Sequence, residues 1–163
     1  MAVDRGQDVK LVLRPARMED GGTVFQWRND PFIMRRGSSQ EPVSLDEHSR
    51  WFARSLASPS ERILFVAECD SVLAGLARFD RDGTDDAIIS IYLIERFTGR
   101  GLGGPVIQLA CREAVRRWNV RRVLAFVRND NPAGVKTFLG AGFAEISVRN
   151  CPRDHRAFSL ACE

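Results

Sequence analysis

Long apolar runs are missing from this chain, so the pattern of a membrane-spanning helix, about 18 consecutive apolar residues, does not occur. The opening stretch Met1 to Lys10 is polar and charged and lacks the apolar centre of a secretory signal. Soft metal ligands are few: two histidines, and four cysteines with no Cys-x-x-Cys among them. Cys69, Cys111, Cys151 and Cys162 are widely spaced, which argues against a metal site and reads as reduced thiols of a cytoplasmic protein. Charge of one sign is also scarce. The net charge of +3 suits a small anionic ligand but is too weak to argue for nucleic acid, and the arginines form no run. There is one tyrosine, Tyr92. No repeat, linker or low-complexity stretch interrupts residues 1–163, which read as a single α/β domain.

The stretch from Ala87 to Trp118 organises the rest. Residues 87–94 are β-branched and apolar, as a buried strand is. Ile107, Ala110, Cys111, Ala114, Val115 and Trp118 recur at spacings of three and four, the stripe of a helix. Between them lie Arg96, Gly99, Arg100, Gly101, Leu102, Gly103 and Gly104. Strand, glycine turn and helix N-terminus together form an anion site, because glycines allow close backbone approach and first-turn N–H groups have no helical partner. Pro105 marks the helix start. The anion then rests on the N–H groups from Gly99 to Gly104, with Arg96 and Arg100 beside them. Gly99-x-Gly101-x-x-Gly104 also matches a dinucleotide fingerprint, but too little chain follows for two mononucleotide halves. A P-loop lacks its Gly-Lys-Ser/Thr. A purely structural glycine turn stays open.

Along the chain, Val9 to Leu13 reads as a strand ended by Arg14-Pro15. Met18 to Asn29 reads as a helix closed by Asp30-Pro31. Phe32 to Pro42 is irregular. Ser44-Leu45-Asp46-Glu47 is a capping box opening a helix through Trp51, Phe52 and Leu56. Ile63 to Ala67 and Val72 to Phe79 form an antiparallel hairpin around an acidic turn. Val123 to Val127 is a buried strand. Asn131-Pro132 starts a helix that Gly140-Ala141-Gly142 ends, and Phe143 to Val148 and Ala157 to Leu160 are the last strands.

Two motifs carry a family resemblance. Arg96-x-x-Gly99-x-Gly101 between strand and helix resembles the acyl-CoA pyrophosphate loop of the GNAT N-acetyltransferases. Asn131, a short helix, then Gly142-Phe143 resembles their second motif at the matching distance. The resemblance implies a mixed, mostly antiparallel sheet with a splayed central strand pair and helices on both faces. It implies acetyl-CoA as co-substrate and no metal. It places the pantetheine arm against Leu93 and Ile94, with Asn131 and Phe138 also on the cofactor side. Leu13-Arg14-Pro15, Trp27-Arg28-Asn29-Asp30-Pro31 and Val43-Ser44-Leu45-x-x-His48-x-x-Trp51-Phe52 further resemble the amino-sugar N-acetyltransferases, among them the UDP-4-amino-sugar N-acetyltransferase of pseudaminic acid biosynthesis. Parts of the same pattern occur in the N-terminal acetyltransferases of ribosomal proteins. The implied partner is a small-molecule amine, not nucleic acid or a membrane. The resemblance leaves a homodimer open.

Acetyl transfer needs a neutral amine, an oxyanion donor and a proton for the leaving thiolate. A backbone N–H near Leu93 or Ile94 suits the oxyanion. The family's usual acid is a tyrosine where this chain has Phe138, which has no proton to give. Tyr92 on the core strand is the candidate proton donor, against a plain core tyrosine. His48 is the second catalytic candidate, against a helix histidine bonded to a carbonyl. Arg28 and Asn29 suit a sugar or nucleotide phosphate, or equally a solvated helix end. Trp51 suits stacking on the acceptor, or core packing. Non-catalytic acyl-CoA binding is the reading that Phe138 keeps open.

Overall fold

The computed structural model describes residues 9–163, so positions 1–8 of the polar stretch Met1 to Lys10 lie outside the described residues. Seven strands form one sheet in the order β1-β2-β3-β4-β5-β7-β6. They are β1 Leu11–Pro15, β2 Arg62–Cys69, β3 Val72–Asp82, β4 Asp86–Leu93, β5 Arg122–Arg128, β6 Ala144–Ile146 and β7 His155–Ala161. Every neighbouring pair is antiparallel except β4 and β5, which run parallel. Helix α4, Gly103–Trp118, makes the crossover that a parallel pair requires. The other helices are α1 Gly21–Arg28, α2 Pro31–Arg36, α3 Leu45–Ala57 and α5 Pro132–Gly140.

Side chains alternate across the strands, and both faces of the sheet are covered. Ile63, Phe65, Ala77, Phe79 and Ile89 point to one face, where they pack with Ile107, Ala110 and Ala114 of α4 and Phe138 of α5. Leu64, Val66 and Leu76 point to the other, against Val24 of α1 and Phe52 of α3. Phe52, Phe65, Phe79 and Phe158 are among the fully buried side chains. Each contributes about 1.5–3 kcal/mol by leaving water.

The β4–β5 ladder holds only from Asp86–Arg122 to Ile89–Ala125. Beyond it, Ser90 to Leu93 stay paired with β3, and Phe126 to Arg128 stay paired with β7. The two central strands therefore part and leave facing edges, as the expected splayed pair requires.

Several boundaries differ from the sequence expectation. Strand β1 runs on through Arg14 to Pro15, opposite Phe65, because an edge strand tolerates a proline. The stretch expected to be irregular begins with α2, since Asp30 Oδ1 accepts from the N–H groups of Phe32 and Ile33 while Pro31 takes the first turn. Half of the capping box forms: Ser44 Oγ accepts from the Glu47 N–H. Helix α4 opens at Gly103, so Pro105 is its third residue, still within the turn where an N–H has no helical acceptor. In the β2–β3 hairpin the strands extend to Cys69, and Asp70 and Ser71 alone form the turn, at φ 49° and 68°. The penultimate strand is only three residues, Ala144–Ile146.

One ion network ties the N-terminal segment to the sheet. Arg14 donates to both carboxylate oxygens of Asp20, at 2.8 and 2.9 Å, and to Glu68 at 2.9 Å. Asp20 is buried and also accepts from the Arg17 N–H at 2.7 Å. The Arg14 guanidinium holds the Asp20 carboxyl below its ordinary value, against the opposing pull of burial. A carboxyl depressed on folding stabilises the fold above its unfolded pKa, and that contribution is lost as pH falls through the folded value. Asp20→Asn leaves Arg14 without its main partner and is expected to cost about 3 kcal/mol. Urea melts of the two proteins should differ by that amount at pH 7 and converge as pH drops below about 4.

Candidate active site

The glycine turn is preceded by a short 3-10 turn, Glu95–Phe97. Gly99 and Gly101 have φ 69° and 73°, the left-handed region that a side chain strains. Among the described residues, no backbone or side-chain acceptor takes the N–H of any residue from 99 to 104. They crown the positive end of the sixteen-residue helix α4. Gly103 lies against α5, where a Cβ would sit 2.7 Å from Thr137 Cγ2. Arg96 and Arg100 are exposed on either side of the turn. Their guanidinium carbons lie 4.9 and 5.4 Å from the ring of the buried Phe97, which holds both charges near the cradle. Leu102, Leu93 and Ile94 pack around the same Phe97.

The free edge of β4 leads into this cradle. The Ile94 N–H donates to Ala74 O of β3 at 2.8 Å, so this donor is consumed within the sheet. Successive residues of a strand point their N–H groups to opposite sides, so that of Leu93 faces the parted β5 edge. Of the two expected oxyanion donors, Leu93 is the one left available. Gly75 lets β3 follow β4 to this point, because any Cβ there would collide with the Tyr92 carbonyl oxygen.

On the α1/α3 face of the same strand end, four polar atoms are buried without a hydrogen-bond partner among the described residues: Arg28 Nη1, His48 Nε2, Arg78 Nε and Tyr92 OH. Buried polar groups are rarely left unpaired, because each costs on the order of 1–3 kcal/mol. Tyr92 packs edge-on against Trp27 with ring centroids 6.1 Å apart. Burial pushes its phenol above the ordinary value of 10, although the charges of Arg78 and Arg28 pull the other way. His48 is enclosed by Phe25, Trp51 and Phe52, with centroids at 5.4, 5.4 and 6.0 Å. Burial and then the Arg28 charge hold its imidazole below 6.5 and so favour the neutral ring. Arg28, His48, Trp51 and Tyr92, far apart in sequence, thus meet. Arg78, which no sequence signal singled out, joins them through the β3–β4 register, where it stands opposite Ser90.

Other candidates lie elsewhere. Asn29 is spent on the backbone: its amide donates to Val43 O at 2.8 Å and its oxygen accepts from Val43 N at 2.9 Å. Asn29 thereby forms a clasp between α1 and the start of α3. Asn131 caps α5, its oxygen accepting from Gly134 N at 3.1 Å. Phe138 is buried against Phe143 at 5.1 Å between centroids, in the α4/α5 core and not on the acceptor face. A groove of about 480 Å³ between α4 and the end of β7, and a hollow of about 220 Å³ beside Arg54 and Arg62, are lined by none of these residues. Among the described residues no group of three or more His, Cys, Asp or Glu side chains is placed to hold a metal ion, and no helix is long and apolar enough to cross a membrane.

A free strand edge thus runs into a cradle of N–H groups without partners among the described residues, with buried polar groups across the strand. Comparison with known proteins gives the family. Residues 10–144 match the model of the acetyltransferase (GNAT) domain. YwnH of Bacillus subtilis (strain 168), provisionally named as a phosphinothricin acetyltransferase, is 30% identical over 142 residues, covering 83% of this chain and 85% of its own. The spermidine N-acetyltransferase of Vibrio cholerae, solved with CoA and spermine, superposes with a TM-score of 0.81 at 20% identity, over 93% of this chain and 95% of that one. An acetyltransferase of Salmonella typhimurium that modifies the N-terminal serine of ribosomal protein L7/L12 superposes at 0.78 with 17% identity, over 94% and 95%.

The chain belongs to the GNAT acetyltransferase family. It is an acetyl-CoA-dependent N-acetyltransferase with a single GNAT-like sheet.

Proposed function

We propose that the acceptor is the primary amine of a small polar molecule, an amino-sugar nucleotide in the first instance, bound on the Tyr92 side of the parted strands. The observation that carries this reading is how the α2–α3 loop is tied down. Ser39 Oγ accepts from Arg28 Nη2 at 3.1 Å, and Ser38 Oγ lies 3.1 Å from His155 Nε2 at the start of β7. The loop is therefore tied at Ser38 and Ser39 both to the end of α1 and to the start of β7. That favours a compact pocket over the open groove that a protein N-terminus needs.

The chain's own groups divide the work. The N–H groups from Gly99 to Gly104, with Arg96 and Arg100, hold the pyrophosphate of acetyl-CoA. The β4 edge at Leu93 pairs with amides of the pantetheine arm, and its N–H is placed to meet the developing oxyanion. His48, kept neutral by burial, is free to take the proton that the amine sheds on attack. Tyr92, kept protonated by burial, supplies one to the leaving thiolate. Trp51 walls the acceptor side.

A second reading has its own observation. YwnH, 30% identical to this chain, is named for a substrate that is an amino acid carrying a phosphinate. A thiol-release screen separates the readings: a UDP-4-amino sugar, phosphinothricin, spermidine and an N-terminal serine peptide, each with acetyl-CoA. The expected result is turnover with the first or second compound at no less than about ten times the kcat/KM of the peptide, roughly 1.4 kcal/mol of selectivity. Preference for the peptide would overturn the proposal.

A further inference from the structure

We infer that Arg28 and Arg78 form an anion subsite beside Tyr92, which selects acceptors that carry a carboxylate, phosphinate or phosphate on the same molecule as the amine. The inference rests on the small-amine reading above and narrows it to one charge class.

Both guanidiniums have buried donors with nothing to donate to. Arg28 Nη1 is unpaired while Nη2 is bound to Ser39. Arg78 Nε lies 3.0 Å from Asp80 Oδ2 but is not aligned to donate to it, and Arg78 Nη2 reaches Ser90 Oγ at 3.4 Å. The only carboxylate paired with either arginine among the described residues is Asp80, which Arg62 also engages at 2.5 Å through its own Nε. Three guanidiniums thus have one carboxylate between them, an uncompensated positive charge on a partly dry face. Such charge and such unpaired donors are costly alone and are satisfied together by acidic oxygens.

Their position points at the acceptor and not at acetyl-CoA. Arg28 ends α1, and Arg78 lies on the α1/α3 face of β3, in register with Ser90 and two residues from the partner of Tyr92. The fields of both arginines reach the Tyr92 hydroxyl, and that of Arg28 also reaches His48. The pyrophosphate cradle, by contrast, has its own cations, Arg96 and Arg100, beyond the end of β4. A polyamine such as spermidine would bring further positive charge to Arg28 and Arg78 and is selected against.

The test is steady-state kinetics of the full chain with phosphinothricin, a UDP-4-amino sugar, spermidine and ethanolamine as acceptors. Arg28→Gln and Arg78→Gln are each expected to raise KM for the acidic acceptors roughly tenfold to a hundredfold, the loss of a charge-assisted bond. KM for ethanolamine should move less than about threefold, and KM for acetyl-CoA no more than that. Phosphinothricin as the better acceptor would trace the anion to an amino acid, and the UDP sugar to a nucleotide diphosphate. Equal losses on acidic and non-acidic acceptors, or no loss on either, would overturn the subsite. Should the variants not fold, the wild-type protein carries the same test: kcat/KM at least about tenfold higher for the acidic amines than for spermidine and ethanolamine supports it, and the reverse order sinks it. Turnover with no charge preference overturns the subsite and leaves the small-amine reading standing, whereas no turnover with any small amine removes that reading itself.

Discussion

Gly101→Asp is expected to reduce acetyl-CoA affinity at least about a hundredfold, the equivalent of roughly 3 kcal/mol. Two costs arise, one on the fold and one on the ligand. Gly101 has φ 73°, and a side chain in that region costs the fold on the order of 1–2 kcal/mol. The carboxylate then stands among N–H groups that have no partner among the described residues and that we propose hold the pyrophosphate, so it would both occupy those donors and repel the incoming charge. A Cβ built at Gly101 meets nothing within 4 Å, so only the backbone strain falls on the fold, which should survive it, and the charge acts on the ligand. Gly101→Ala separates the costs, because it keeps the backbone strain and omits the charge. Calorimetric titration with acetyl-CoA, with NAD and ATP as controls, reads the outcome directly. Unchanged affinity in Gly101→Asp would mean that the pyrophosphate sits elsewhere, and the assignment of the turn would fall.

The cradle was legible in the sequence because its chemistry is local. Glycines that must take positive φ, flanking arginines and a helix start all lie within a dozen positions, so spacing alone brings them together. The parted strands were legible only through the family resemblance, since nothing in residues 87–94 says where the β5 ladder stops. What sequence reading missed was set by register and by side-chain competition. Arg78 sits in a strand of apolar neighbours, and only its pairing opposite Ser90 shows that it shares a face with Tyr92. Asn29 looked available until its amide closed on both backbone groups of Val43, a contact spanning fourteen positions. Asp30-Pro31 is a double signal, a stop for α1 and a cap for α2, and the second half is visible only once the Asp30 oxygen is seen to turn forward. The bonding of the Ile94 N–H was hidden for a similar reason: the strand alternation gives it to β3.

Tyr92→Phe is expected to lower kcat by about 100- to 1000-fold while KM for acetyl-CoA stays within about twofold. The usual acid position holds Phe138, which the structure buries against Phe143, so no second phenol is available to replace the lost proton donor. The phenyl ring that the substitution leaves keeps the packing on Trp27, and only the hydroxyl goes. That hydroxyl is buried and unpaired, a state that costs free energy in the resting protein. Its removal should therefore leave the melting temperature equal or higher, while activity collapses. A core tyrosine kept for stability would show the opposite pair of changes, because losing a satisfied buried hydrogen bond lowers stability by about 1 kcal/mol and leaves chemistry alone. The pH profile adds a third mark. Since burial raises the phenol above 10, it remains an acid throughout an ordinary assay, and wild-type kcat should not fall on the alkaline side until beyond about pH 10. If His48 is the base, as proposed, the acidic limb should follow it, and its lowered value places that protonation below about pH 6.5. Loss of turnover with stability retained identifies the Tyr92 hydroxyl as a reacting group, held unpaired because its partner is the leaving thiolate. Full turnover in Tyr92→Phe would return the residue to the core and leave the departing thiolate to water.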